Sequence, residues 1–154
     1  MISIEKIELP VSGLERLHSE ARDEGYRFID TLVEEWVSGK NRFDAPGEAL
    51  CGHLDQGLLV AVGGLNVDPF AGHPHVGRIR RVYVRHRWRN KGVGQALVTA
   101  LLDEAQNHFR CVHLRAENME AARLYERMGF VPISSPTATH MLVFDRTSGP
   151  ADSK

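Results

Sequence analysis

The spacing of apolar residues changes several times along the chain, which predicts alternating strands and helices. Residues 2–9 place isoleucines and a leucine among charged residues, which indicates a first strand. That strand ends at Pro10, because proline has no amide hydrogen for a central ladder. Between residues 14 and 37 the apolar positions recur every three or four residues. This period predicts two amphipathic helices, separated near Gly25 and closed by Gly39.

The middle of the chain reads as three strands. Apolar runs at residues 49–54 and 58–65 flank Asp55-Gln56-Gly57, which predicts a hairpin, and residues 67–77 are expected to form a loop. The next strand, residues 78–84, has Ile79 on one parity and two valines on the other. One extra residue in a β-bulge would bring these apolar side chains to the same face.

The second half continues with the clearest helical pattern of the sequence. An apolar stripe runs from Val93 to Ala105 at helical spacing, and residues 112–116 then alternate as in a strand. A further helix over residues 118–128 ends at Gly129, a left-handed cap, before two final strands. We expect a single domain over residues 1–147 and a flexible tail over residues 148–154.

Composition limits the class of protein. The chain has 154 residues, 42% hydrophobic and 25% charged, with a net charge of −1, which excludes disordered, collagen-like and membrane classes and a general polycation. The N-terminal segment has no long apolar core of the kind found in signal peptides or membrane anchors. The two cysteines, Cys51 and Cys111, lack metal-binding spacing. These features favour a cytoplasmic protein.

A glycine turn between a strand and the strongest helix is the first candidate site. The first amides of a helix have no internal partners and lie at the positive end of its dipole, so Gly92 and Gly94 would let an anion approach them. The neighbouring positive charges favour a multiply phosphorylated ligand: Arg85, Arg87, Arg89 and Lys91. The alternative is that the glycines only shape a tight connection. A dinucleotide fingerprint would need glycine at Leu97, and the P-loop pattern is absent.

Two motifs resemble those of the GNAT superfamily of N-acetyltransferases. Arg89-Asn90-Lys91-Gly92-Val93-Gly94 is similar to the first family signature, Arg or Gln, two spacers, Gly, one spacer, Gly or Ala. The second signature, a helix that opens with Asn and ends in Gly-Phe, is matched by Asn118, Ala121, Leu124, Tyr125, Glu126, Gly129 and Phe130. The order of predicted strands and helices also resembles the family over nearly the whole chain.

The resemblance implies an α/β (α+β) fold with a mixed, mostly antiparallel sheet of six to seven strands and about four helices. Strands four and five would splay in a V, with acetyl-CoA in the gap. Backbone groups near Val82 and Val84 would hold the pantetheine arm, as would Asn118, whose alternative role is a helix N-cap. The turn would take the diphosphate, and the resemblance implicates these residues: Arg89, Asn90, Lys91, Gly92, Val93, Gly94 and Gln95.

Acetyl transfer to an amine needs a group that protonates the departing thiolate. The family match makes Tyr125 the expected acid, since a phenol can donate a proton or a hydrogen bond to developing negative charge. A tyrosine on a helix can equally be half-buried core.

The reaction also needs a neutral amine, because alkyl amines titrate near ~10. His113 is the first candidate base, where similar ribosomal-protein acetyltransferases carry a glutamate, and histidine titrates near ~6.5. Glu117, His140 and water remain alternatives. The fourth strand offers Arg80 and Arg81 where many relatives place an acid. These arginines would bind a carboxylate on the acceptor or be solvated strand charge.

We therefore expect an acetyl-CoA-dependent N-acetyltransferase that acts on an unidentified amine, with a small molecule preferred over a protein terminus or lysine. No metal is expected, although His73 and His75 are close in sequence. No membrane or nucleic-acid partner is expected, and a homodimer would suit the family. The alternatives are a CoA-binding protein without catalysis and a nucleic-acid-binding module that uses the basic residues 78–91.

Overall fold

The structure, a computed structural model, describes residues 1–144, so the predicted tail at 148–154 lies outside the described residues. The elements follow the predicted order of strands and helices. The strands and helices are β1 (Ile4–Lys6), α1 (Leu14–Asp23), α2 (Phe28–Ser38), β2 (Ala49–Asp55), β3 (Leu58–Val67), β4 (Val76–Val84), α3 (Val93–Gln106), β5 (Cys111–Leu114), α4 (Met119–Arg127), β6 (Val131–Pro132) and β7 (His140–Val143). A single 3₁₀ turn at His86–Trp88 joins β4 to α3.

The seven strands form one sheet in the order β1-β2-β3-β4-β5-β7-β6. Neighbouring strands are antiparallel except β4 and β5, which are parallel. Those two strands pair only at their beginnings, from Val76 opposite Cys111 to Arg78 opposite His113. Beyond Arg78, β4 pairs with β3 on one side, and no strand within residues 1–144 pairs with its other edge. The predicted mixed sheet with a splay between strands four and five is confirmed.

The predicted bulge lies in β4. The register with β3 passes from Gly64 opposite Arg80 to Val62 opposite Tyr83, so β4 carries one extra residue there. Arg81 has a φ of 61°, in the left-handed region. The insertion brings Val82 to the face on which Ile79 packs, which is the parity change that the sequence pattern indicated.

Two clusters of buried side chains cover the two faces of the sheet. One face packs against α3 and includes Leu97, Leu101 and Tyr125. The other packs against α1 and α2 and includes Leu17 and Ile29. The helices therefore flank the sheet on both sides, as the apolar stripes predict.

The predicted loop at residues 67–77 is shorter in the structure. Val76 and Gly77 belong to β4, where Gly77 pairs with Val67 of β3 and with Val112 of β5. The sequence pattern missed this because glycine adds no apolar side chain to the strand. A Cβ at Gly77 would lie 2.6 Å from the ring of Phe109, so the close approach of that ring requires the glycine.

Candidate active site

A cleft of about 620 Å³ lies where β4 and β5 diverge. One wall is the second half of β4, and the other is formed by the segment after β5 and by α4. The turn before α3 lines one end, and Tyr26 and Phe28, at the connection from α1 to α2, line the cleft from the opposite face of the sheet. The splay of the two strands therefore creates the space, because within residues 1–144 no other strand lies between the facing edges of β4 and β5.

The start of α3 opens into this cleft. Gly92 precedes the helix with a φ of 87°, and no side chain among residues 1–144 caps the helix there. A Cβ on Gly94 would lie 3.6 Å from Leu124 Cδ2 and 3.8 Å from Val84 Cγ2, so protein packing leaves room for one. The absence of bulk at Gly94 keeps the space free in front of uncapped amides, which suits an anion such as a diphosphate.

The predicted cofactor-binding residues fall into two groups. Those that line the cleft are Val82, Val84, Arg89, Asn90, Gly92, Gly94, Gln95 and Asn118. Lys91 and Val93 do not line it: Lys91 is exposed, and Val93, the first residue of α3, is buried in the core. The side chains of both residues therefore lie outside the cleft. For these two positions only the backbone amide remains as a candidate ligand.

The positive charge near the turn is already partly neutralised. Arg89 donates two hydrogen bonds to the Glu24 carboxylate, at 2.6 and 3.1 Å, and its Nε donates to the carbonyl of Val84 at 2.8 Å. Arg85 Nε donates to Glu20 Oε1 at 2.9 Å. The argument from sequence, which treated these arginines as free for a phosphate, needs this correction. Acidic residues of α1 and its C-terminal end, far away in sequence, fold back onto the turn.

The same contacts shift the ionisation of these acids. Hydrogen bonding to Arg89 is the largest cause that lowers the pKa of Glu24. The pKa of Glu20 is also lowered, since hydrogen bonds from the His86 amide, Arg85 and Tyr83 outweigh the effect of burial. Burial and these two carboxylates raise the pKa of Tyr83 above its usual range. At neutral pH, Glu20 and Glu24 are therefore ionised and accept hydrogen bonds, while the Tyr83 phenol is neutral and donates them.

A side chain caps the N-terminal end of α4. Asn118 Oδ1 accepts a hydrogen bond from the Ala121 amide at 2.8 Å, so the predicted N-cap is confirmed. Its Nδ2 donates to the Tyr26 hydroxyl at 2.9 Å, which links α4 to the connection between α1 and α2. The side chain retains one amide hydrogen and one lone pair for a ligand.

Tyr125 lies in the second half of α4, is only 6% exposed and lines the cleft. Its ring packs edge-on against Phe130, with ring centroids 5.6 Å apart. Burial, followed by the charge of Glu117, raises the pKa of its phenol. The ring is part of the core, as one of the two descriptions predicts, and the residue also lines the cleft, where a role as an acid stays a prediction. The phenol stays protonated at neutral pH and is able to donate.

The three candidate bases are not brought together. Glu117 lines the cleft with Tyr125. His113 does not line it; its Nδ1 lies 3.2 Å from Asp68 Oδ2, at the end where β4 and β5 are still paired. His140 is buried, hydrogen bonded to Thr139 Oγ1 and Glu126 Oε2 at 2.8 Å each. Among these three, Glu117 is the residue that the fold brings into the cleft.

Comparison with known proteins identifies the family. The model of the Acetyltransferase (GNAT) family matches residues 13–130, more than half of the chain. The chain belongs to the GNAT family of acetyltransferases. Transfer of an acyl group from acetyl-CoA to an acceptor is the reaction of this family.

Solved structures of similar proteins agree. A candidate acetyltransferase of Exiguobacterium sp. 255-15 is 26% identical, with a TM-score of 0.84 over 100% of this chain and 99% of that chain. A GCN5-related N-acetyltransferase of Kribbella flavida is 16% identical, with a TM-score of 0.69 over 91% and 95% of the two chains. Glucosamine-6-phosphate N-acetyltransferase of Arabidopsis thaliana is 22% identical, with a TM-score of 0.62 over 94% and 99%. The latter two similarities concern the GNAT fold alone.

The sequence analysis missed these residues of the GNAT cleft: Tyr26, Phe28, Arg115, Glu120, Arg123 and Arg127. Tyr26 lies in a short connection between two helices, and its partner Asn118 is 92 positions away. Glu24, which does not line the cleft, pairs with Arg89 across 65 positions. Tyr26 and Glu24 flank Gly25 in a short turn, so no local pattern could have indicated these two contacts.

Two further properties of the described residues bear on membrane and metal binding. Over residues 1–144, every helix is too short or too polar to span a bilayer. Within the same residues, no group of three or more histidines, cysteines or acids is placed to hold a metal ion.

Proposed function

We propose that this GNAT protein transfers the acetyl group of acetyl-CoA to a primary amine by direct attack in a ternary complex. One observation carries the proposal. The uncapped start of α3, kept clear by Gly92 and Gly94, opens into the same cleft that Tyr125 lines. A place for a diphosphate and a buried proton donor therefore share one cavity, which is what acyl transfer from a coenzyme A thioester requires.

The residues around the cleft fit acetyl-CoA, which supplies an activated thioester when bound. The backbone amides from Lys91 to Gln95 would hold the diphosphate. Backbone groups at Val82 and Val84 would hold the pantetheine arm, with the Val84 carbonyl already taken by Arg89. Asn118 would bond the arm through its remaining amide hydrogen or lone pair while it caps α4.

Tyr125 is proposed as the general acid. Its phenol would donate a proton, or at least a hydrogen bond, to the departing thiolate, whose conjugate acid titrates near ~8.5. Burial and the charge of Glu117 keep this phenol protonated, because both raise its pKa. The residue also lies on a helix held rigidly in the core, so its ring is positioned before the substrates arrive.

Glu117 is proposed to take the amine proton through water. It lines the cleft and lies near enough to Tyr125 to influence that phenol. The oxygens of a carboxylate accept hydrogen bonds, so they are suitable acceptors for a proton that water relays. A catalytic role for His113 stays a prediction, which loss of turnover in His113→Asn with unchanged folding would support.

A small amine is preferred as the acceptor. The hydrogen bond between Tyr26 and Asn118 bridges the two sides of the cleft, and such a bridge would obstruct a protein chain more than a small amine. Similar folds act on acceptors of different size, including the glucosamine 6-phosphate named for the Arabidopsis enzyme. The bridge is the observation of this chain that favours the small class.

Calorimetry with acetyl-CoA, followed by thiol release with a panel of amines and terminal peptides, tests the proposal. Saturable binding together with amine-dependent thiol release supports it. Binding without thiol release would instead indicate a CoA-binding protein without catalysis. Salt-dependent binding of plain DNA or RNA would favour the nucleic-acid alternative. Against that alternative, four basic residues of segment 78–91 pair with acids: Arg78, Arg81, Arg85 and Arg89.

A further inference from the structure

Of the four arginines of the cleft that are at least partly buried, one has no hydrogen-bond or ion-pair partner within residues 1–144; three exposed arginines, Arg115, Arg123 and Arg127, also line the cleft without one. Arg78, Arg81 and Arg89 each lie within 4 Å of an acidic side chain, as the ion pairs with Asp68 at 3.8 Å, Glu35 at 3.4 Å and Glu24 at 2.6 Å show. Arg80, between the first two on β4, forms no hydrogen bond or ion pair with any residue in the range 1–144. Its Nε is buried without a hydrogen-bond partner.

This unpartnered guanidinium is costly for the protein alone. Arg80 is half-buried and lines the cleft, so it has lost part of its hydration without gaining an ion pair within residues 1–144; Glu35 and Asp68 act on its charge only from a distance. Burial, followed by the charges of Arg81 and Arg78, lowers the pKa of Arg80 to about 10. The side chain is still charged at neutral pH. An anion that enters the cleft would recover the lost interaction through charge-assisted hydrogen bonds.

The position of Arg80 along β4 separates its charge from the diphosphate that is proposed to bind at the start of α3. Val84, which accepts the hydrogen bond from Arg89, lies at the end of β4 next to the turn that precedes α3. Arg80 is four residues earlier, on the other side of the bulge at Arg81. Because the extra residue of the bulge adds little length, the two residues lie roughly 10 Å apart along the strand. The anion that reaches Arg80 is therefore a different group from the diphosphate held at the start of α3.

We propose that Arg80 binds a carboxylate or phosphate group of the acceptor, so that the substrate is an amine that also carries an anion. This inference rests on the proposed function, which puts that amine in the same cleft. The acids that line the cleft, Glu117 and Glu120, complete the match because they suit the ammonium group of the same molecule. The site then recognises both charges of one small molecule.

Calorimetry on the full chain saturated with CoA tests this with two pairs of matched primary amines. The first pair is β-alanine and propylamine, which differ in a carboxylate; the second is O-phosphoethanolamine and ethanolamine, which differ in a phosphate. For at least one pair we expect the anionic member to bind about tenfold more tightly or better. The pair that shows the preference identifies the anion.

Variants assign the preference to this residue. Arg80→Gln should reduce the preference to about twofold or less, and Arg80→Lys should retain part of it because the charge remains. Arg16→Gln, which changes an exposed arginine of α1 outside the cleft, should keep the full preference. Equal binding within both pairs, no binding of any probe, or a preference that survives in Arg80→Gln would overturn the proposal.

Acetyl-CoA titrations keep the two proposals distinguishable. If Arg80 faces the acceptor, Arg80→Gln binds acetyl-CoA as tightly as the unchanged protein. Loss of acetyl-CoA binding in Arg80→Gln without any anion preference in the unchanged protein contradicts the inference. If acetyl-CoA binds and neutral amines release thiol, but anionic amines bind no better, this inference fails while the proposed function stands.

Discussion

Two helices begin at the cleft, and their first turns differ in one respect. α4 is capped by the Asn118 side chain, which accepts a hydrogen bond from the Ala121 amide. α3 follows Gly92, and no side chain within residues 1–144 caps it. Both helices carry the same positive dipole end, but one first-turn amide of α4 already has a side-chain acceptor and none of α3 has. This difference supports the proposal that the anion binds at α3.

Both starts are tied to the same connection between α1 and α2. Glu24 pairs with Arg89 in front of α3, and Tyr26 accepts a hydrogen bond from Asn118 in front of α4. This connection therefore joins the two walls of the cleft, although it contributes nothing to either motif. The connection between α1 and α2 therefore helps to position both motifs relative to each other.

The largest expected effect comes from filling the open start of α3. Gly94→Glu would place a negative side chain where the diphosphate is proposed to bind, so acetyl-CoA affinity should fall by about 10³-fold or more, equivalent to the loss of two charge-assisted hydrogen bonds. Calorimetry measures this change. Gly94→Ala is the matched control, because a Cβ has room there.

Thermal unfolding completes this comparison. Gly94→Ala should be as stable as the unchanged protein or more stable, by up to about 1 kcal/mol, since alanine favours a helix more than glycine. Undiminished acetyl-CoA binding by folded Gly94→Glu would show that the anion does not lie at the start of α3.

Tyr125→Phe tests what α4 contributes once its own amides are capped. The ring packing in the core is retained while the proton donor is lost, so turnover should fall about 100-fold, within the range for a general acid. Acetyl-CoA affinity should stay unchanged. Steady-state kinetics and calorimetry together separate the two quantities, and equal turnover in both proteins would remove the acid from the mechanism.

Removal of the α4 cap should cost stability. Asn118→Ala leaves the Ala121 amide without its acceptor, and we expect the free energy of unfolding to fall by about 1 kcal/mol in urea titrations. Asn118→Ser keeps a capping oxygen but not the amide that donates to Tyr26, so it should recover most of the loss. Similar losses in both variants would show that the Tyr26 contact, and not the cap, dominates.

The smallest effect concerns the pair between Glu24 and Arg89. The folded-state pKa of Glu24 is lowered, so its contribution exists above the unfolded pKa near ~4.3 and disappears as the pH falls through the folded value. Glu24→Gln should therefore lose about 0.5 kcal/mol at pH 7, the usual size for a partly exposed pair. The difference should vanish in urea titrations at a pH below the folded-state pKa of Glu24, where its carboxyl is protonated in both states.

Glu5→Gln, at an exposed position of β1, serves as the control for this pair and should match the unchanged protein at both pH values. A stability gap for Glu24→Gln that persists in acid would mean that the pair with Arg89 is not its source.

Much of the architecture was predictable from the sequence. The spacing of apolar residues indicated the order of the elements, and the parity change between Ile79 and Val82 indicated the bulge that the register confirms. These features depend on neighbours within a few residues, where the periods of a helix and a strand impose a visible pattern. The two GNAT motifs are local for the same reason, since each lies within one short stretch of the chain: the turn before α3, or α4 with its two ends.

The charge state of the cleft was decided only by the tertiary structure. From the sequence, Arg80 and Arg89 are both basic residues that could bind an anion, but folding pairs Arg89 with Glu24 and, within residues 1–144, leaves Arg80 without an ion pair. His113 and Glu117 were similar candidates on one segment, and the end of the β4–β5 pairing separates them. Contacts of this kind join residues tens of positions apart and depend on how the sheet and helices pack, so no local period records them.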